Sequence, residues 1–115
     1  MLKEILATID EGKISQIKEV KPNKLPALTD IGYSIIYVLK TSNNFFYVGE
    51  SDNFPYRVKA HRSRLNDDNC HFFYIAIKEG KSEARKIEQK LIIKLKNNNF
   101  PMLSISDGDN RNFGL

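Results

Sequence analysis

Residues 34–57 read SIIYVLKTSNNFFYVGESDNFPYR, and the fold turns on how this stretch is divided. Tyr33–Lys40 and Phe45–Glu50 are rich in β-branched and aromatic residues. Between them stand Thr41, Ser42, Asn43 and Asn44, types that tolerate turn geometry, so the spacing predicts a hairpin. Helix-starting signals follow at once. Ser51, Asp52 and Asn53 are good N-caps, and Pro55 fits a first helical turn, where its missing N–H costs nothing. The helix is expected to run to about Leu65, where Asn66-Asp67-Asp68-Asn69 breaks it. Tyr37 and Tyr47, ten residues apart, with Gly49 and Arg57 just beyond, have more the look of a catalytic face than of a purely structural one.

The rest of the chain is arranged around this hairpin. Downstream, HFFYIAIK (His71–Lys78) has apolar or aromatic residues on both faces, as a central strand would. Gly80 turns the chain, and Ser82 is expected to cap a helix from Glu83 to about Lys96, ended by Asn97-Asn98-Asn99. Upstream, Leu2, Ile5, Leu6 and Ile9 have the spacing of one helical face, closed by Gly12. Lys13–Lys21 fits a short helix and an irregular extended segment equally poorly. Pro22 and Pro26 make Lys21–Ala27 a connector.

At 115 residues the chain is long enough for one core and too short for separate catalytic and recognition domains. Three segments are expected: an N-terminal helix and connector over 1–30, a compact domain over 31–104 and an irregular tail over 105–115. Apolar residues at 41% and charged residues at 28% suit a globular protein rather than a disordered or fibrous one. The formal charge of +4 favours a polyanionic partner only slightly. Cys70 is the single cysteine, which excludes an internal disulfide and a multi-cysteine zinc site and points to a reducing compartment. With no apolar run near the roughly 20 residues of a membrane span and no signal-peptide core, a cytoplasmic location is expected.

The second long helix holds an informative misfit. Ala84, Ile87, Leu91, Ile92 and Leu95 form an apolar stripe, and Glu88 projects from within it. An inward carboxylate is costly unless a base or a metal ion meets it; an isolated glutamate is more often a rim residue or a salt-bridge partner. In the shorter helix Arg57, His61 and Arg64 follow i, i+4, i+7 spacing beside Phe54, Val58 and Leu65. A half-buried arginine can fork its donors onto phosphate or carboxylate. The bland reading of Lys59 and Arg62 is a solvated basic edge. Tyr37 and Tyr47 are each, taken singly, more often core aromatics than proton carriers.

Taken together, Ile35-Ile36-Tyr37, then Tyr47-Val48-Gly49, Glu50-Ser51-Asp52-Asn53, Arg57, His61 and finally Glu88 resemble the GIY-YIG nuclease family over about Tyr33–Leu103. The resemblance implies an α+β fold, a small three-stranded antiparallel sheet flanked by helices, here with an N-terminal helical extension. It implies DNA phosphodiester hydrolysis with one magnesium or manganese ion held by Glu88, and Arg57 clamping the phosphate. Tyr37 would be the general base, acidified by the nearby metal and cations, with Tyr47 or His61 orienting the water or relaying its proton. Lys40, Lys59, Arg62 and Arg64 would position DNA through its phosphates, with structure-directed or weakly specific cleavage.

The chain departs from the family pattern twice. Ile35 replaces the glycine of the first triplet, at little chemical cost. Ser104 stands where an asparagine is expected to help hold the site together, leaving Ser104, Asn110 or Asn112 to substitute. That departure motivates the rival expectation of a non-catalytic DNA-binding module within a larger assembly, with the apolar face of the N-terminal helix as a contact for a partner or a second copy. No membrane partner is expected.

Overall fold

A computed structural model of the chain describes residues 17–30, 32–78 and 81–103. The expected N-terminal helix, Ser104 and the 105–115 tail lie outside the described residues. Four strands and two helices are present: β1 (Lys18–Val20), β2 (Ser34–Lys40), β3 (Phe46–Ser51), α1 (Phe54–Leu65), β4 (His71–Ile77) and α2 (Lys81–Asn97). The α+β class holds, but the sheet has four strands, in the order β1-β4-β2-β3, and not three. The fourth is β1, from the segment whose pattern was ambiguous. It pairs antiparallel with β4, Lys18 opposite Tyr74 and Val20 opposite Phe72. Three residues carry too little local signal to mark a strand, and β4 supplies the hydrogen-bonding edge that makes it one.

The hairpin forms where its turn chemistry places it. Thr41 and Phe45 close the loop, Asn44 N–H donates to the Thr41 carbonyl at 3.0 Å, and Asn44 adopts φ 65°, a left-handed conformation that asparagine tolerates. Because β4 pairs with β2 on the side away from β3, β2 and β4 are both interior strands, as the two apolar faces of β4 foretold.

Alternation along the strands divides the core into two layers. Ile36, Val38, Phe46, Val48, Ile75 and Ile77 pack with Ala84, Ile87, Leu91 and Leu95 of α2. Ile35, Tyr37, Leu39 and Phe72 pack with Phe54 and Val58 of α1 on the other face. The sheet therefore lies between two helices, and β3 is one of its edges. Part of that edge is covered after α2, where Phe46 N–H donates to the Pro101 carbonyl at 2.9 Å and Met102 forms an isolated parallel bridge to Phe46.

α1 spans the expected residues, with Pro55 in its first turn, but its cap differs. Asn53 at the N-cap makes no side-chain bond to the helix. Instead Thr29 of the connector accepts the Phe54 N–H at 3.0 Å, so a residue from a distant segment satisfies an end that local residues were expected to satisfy. α2 begins at Lys81, earlier than Glu83, and places Ser82 inside the helix.

Arg62 requires a correction. It is 7% exposed, not part of a solvated edge, and its guanidinium donates to the carbonyls of Lys24, Lys21 (3.1 Å) and Cys70 (3.2 Å) while lying over the Phe72 ring. Its donors tie the connector to the sheet, so Arg62 is withdrawn from the residues expected to contact DNA. Arg62→Gln should lower the unfolding free energy by about 3 kcal/mol in denaturant titration, because it leaves carbonyls without a charged donor. Function per folded molecule should not change.

Candidate active site

The site is built around a fit between two opposed residues of the hairpin. Tyr37 and Gly49 face each other across β2 and β3, and the Tyr37 ring lies directly over Gly49. A Cβ at position 49 would collide with the Tyr37 hydroxyl and ring, reaching Cε1 at 3.0 Å. Glycine is thus required here for space, since its backbone is ordinary strand. The tyrosine is 0% exposed, walled by Phe54 at 5.2 Å and Phe72 at 6.0 Å between ring centroids.

The phenol's polar end is met from α1. Its oxygen lies 2.7 Å from His61 Nε2 in a buried hydrogen bond, and the Arg57 guanidinium also hydrogen-bonds it. Because a guanidinium can only donate, the phenol accepts from Arg57, and the tautomer of the neutral His61 sets which way its bond to Nε2 runs. The i, i+4 spacing of Arg57 and His61 delivers both side chains from successive turns to one tyrosine. The Tyr47 ring lies 5.3 Å from the His61 ring, on the same face of the sheet.

Protonation in this cluster is governed by desolvation. Burial pushes the Tyr37 phenol far above its ordinary value, and the opposing pull of Arg57 does not compensate. The protein groups around the phenol do not by themselves acidify it. His61 is pushed down to about 3, by burial first and then by the Arg57 charge, so it is neutral near pH 7. Tyr47, half-buried, is raised by burial and by the charge of Glu88, with Arg57 opposing.

Glu88 reaches the cluster from the opposite layer. It is half-buried on α2, and its carboxyl is held up by burial and then by Glu50, against the pull of Arg85. Glu50 was not singled out from the sequence, although the signal was there. Strand alternation puts position 50 on the same face as Phe46 and Val48, the face that α2 covers. The two layers thus meet around β3, with Arg57, His61 and both tyrosines on one side and Glu50 and Glu88 on the other.

Lys40, Lys59 and Arg64 do not join this cluster. Lys59 and Arg64 are exposed on α1, and Lys40 is half-buried at the hairpin end of β2, three residues past Tyr37. A half-buried carboxylate beside a second one is a hard-oxygen donor set that a divalent cation would relieve of its mutual repulsion, so the residues fit magnesium or manganese, which need only one or two protein oxygens. No cluster of three or more metal-ligating side chains occurs among the described residues, and none of their helices is long and apolar enough to cross a membrane.

Comparison with known proteins bears on this arrangement. Residues 33–100, more than half of the chain, match the GIY-YIG catalytic domain. The chain is 32% identical over 104 residues to the mitochondrial DNA mismatch repair protein MSH1 of Arabidopsis thaliana, a match that covers 90% of this chain and 9% of that protein. No solved structure matches the chain.

Two outcomes follow from the Tyr37 environment. Gly49→Ala should cost about 1–3 kcal/mol of stability, the usual range for overpacking, read as a lowered denaturation midpoint. For His61, whose value falls from 6.5 unfolded to about 3 folded, the unfolded chain binds the extra proton throughout that window. Its contribution to stability is present above pH 6.5 and lost as pH falls toward 3. NMR titration of the imidazole should find it neutral in the folded chain from pH 8 down to 5, with thermal stability declining below about pH 6.5.

Proposed function

The chain belongs to the GIY-YIG family of nuclease domains, and from that membership we propose that it acts as a metal-dependent endonuclease on DNA. What supports the reading is the convergence of Arg57, the Tyr37–His61 pair, Tyr47 and Glu88 around β3. The chain spans 9% of the length of the mismatch repair protein it resembles, so that protein's repair role is not carried over.

In the proposed reaction a divalent cation held by Glu88, with Glu50 beside it, would draw charge from the scissile phosphate and the departing oxygen. Arg57 would donate to the non-bridging oxygens, where charge grows as water attacks. Arg57 is held for this by its bond to Tyr37, which His61 anchors from the next turn of α1. Tyr47 is the better candidate to receive the water's proton. It is the less buried of the two tyrosines, and the Glu88 charge that now raises its phenol would be offset when the carboxylate is engaged. Tyr37 and His61 take the positioning role, because a buried phenol and an imidazole near 3 are poorly matched to proton transfer at neutral pH.

Lys59 and Arg64 would follow the DNA backbone without reading sequence, which favours structure-directed or weakly specific cleavage. The lone cysteine is compatible with the cytoplasm and equally with the interior of an organelle; the relative is mitochondrial.

With magnesium, purified chain should nick or cut DNA in a panel of single-stranded, duplex and branched substrates. Glu88→Gln and Arg57→Ala should each reduce the rate by about 100-fold or more while DNA binding in EDTA persists. A wild type inert on every substrate with both magnesium and manganese would leave a binding module in its place.

A further inference from the structure

On the α1 face of the sheet, beside the cluster that holds Arg57, lies a second feature that the cleavage chemistry does not use. A cavity of about 340 Å³ opens between the connector and the β2–β4 surface, lined by Tyr33, Phe54, Tyr74 and Leu28, with Lys18 and Asp30 also in its wall. It is linked to the site through a row of aromatic contacts. The Tyr37 ring lies 5.2 Å from Phe54, and Phe54 lies 4.7 Å from Tyr74. Phe54 lines the cavity, and Arg57 follows it by one turn of α1.

Its chemistry is that of a stacking platform. Leu28 is 85% exposed, and Tyr33 and Tyr74 are half-buried, so apolar and aromatic surface faces solvent with a cation and a carboxylate at hand. The volume is at the small end of ligand cavities, about 300–1,000 Å³. That suits one heterocycle and its sugar, and excludes a duplex or a helix. Aromatic rings with a nearby lysine are how proteins hold unpaired bases, since every base has a face to stack and a phosphate beside it.

We infer that this cavity receives a single unstacked base of the DNA substrate, next to the scissile phosphate. The inference rests on the nuclease reading and names its substrate class: DNA with an unpaired or displaced nucleotide. Asp30 would accept a hydrogen bond from a base amino group, and Lys18 would meet the flanking phosphate. A base already out of the duplex does not have to be unstacked first, so the cavity selects structure over sequence.

The test measures binding by fluorescence anisotropy in EDTA, which separates it from cleavage. Three labelled duplexes are compared: fully paired, with one bulged adenine, and with a bulged abasic residue at the same place. The wild type should bind the adenine bulge about tenfold more tightly than the abasic bulge, the scale of one base–aromatic stack. Ala76→Trp, which fills the cavity from an exposed position on β4, and Tyr33→Ala should each erase that preference while leaving affinity for the paired duplex unchanged. Thermal melts establish that each variant is folded, and either variant alone suffices. Equal affinity for adenine and abasic bulges, or a preference that survives in a folded variant, overturns the inference. Cleavage of paired duplex without any bulge preference would sink the base cavity and leave the nuclease reading standing. A bulge preference without cleavage of any substrate would do the reverse.

Discussion

The Tyr37 phenol must fit over the backbone of Gly49 and under α1 at the same time, and much of the site depends on that fit. The ring fills the space that a side chain at position 49 would occupy, and its hydroxyl is fully removed from water. A buried hydroxyl needs partners, and α1 supplies them, where His61 and Arg57 stand one turn apart. Satisfying one tyrosine therefore sets the rotation of α1 about its axis and brings an arginine to the edge of the sheet. A structural requirement and the arrangement of the candidate site are met by the same hydrogen bonds.

The same burial distributes the chemistry. The groups deepest in the protein, Tyr37 and His61, are pushed toward their neutral forms from opposite directions, the phenol up and the imidazole down. Both are held in one protonation state, which suits them to hold geometry rather than to move protons. Tyr47 and Glu88, half-exposed at the β3 edge, remain responsive to a bound cation and to solvent. Depth thus separates groups fixed in one protonation state from groups open to solvent. Outside the site, Arg62 shows how a basic helix mixes roles. Lys59 faces solvent, while Arg62, three residues on, is consumed by carbonyls of the connector.

Much of this was legible from residue order. The hairpin, the end of α1 at Leu65, the interior position of β4 and the inward stripe of α2 follow from local turn chemistry and periodicity, which act over a few residues. The spaced tyrosines, Gly49, Arg57 and Glu88 were legible as a family pattern. Three things were not. β1 is three residues long and becomes a strand only against β4. Thr29 caps a helix that begins 25 residues later. Glu50 could have been read from strand alternation, but its significance depends on α2 lying across that face.

The sequence by itself determined β2, β3, β4 and the two helices and which residue types stand at the site, because hydrophobic period, turn formers and motif spacing are properties of the chain in order. Only the tertiary structure decided that Arg62 is a structural tie, that Tyr37 is fully buried and hydrogen-bonded to His61, and that Glu50 lies near enough to Glu88 to raise its carboxyl. The physical reason is common to all three. Charge state and hydrogen-bond supply depend on how much water and which neighbours surround a group, and those neighbours come from segments far away along the chain.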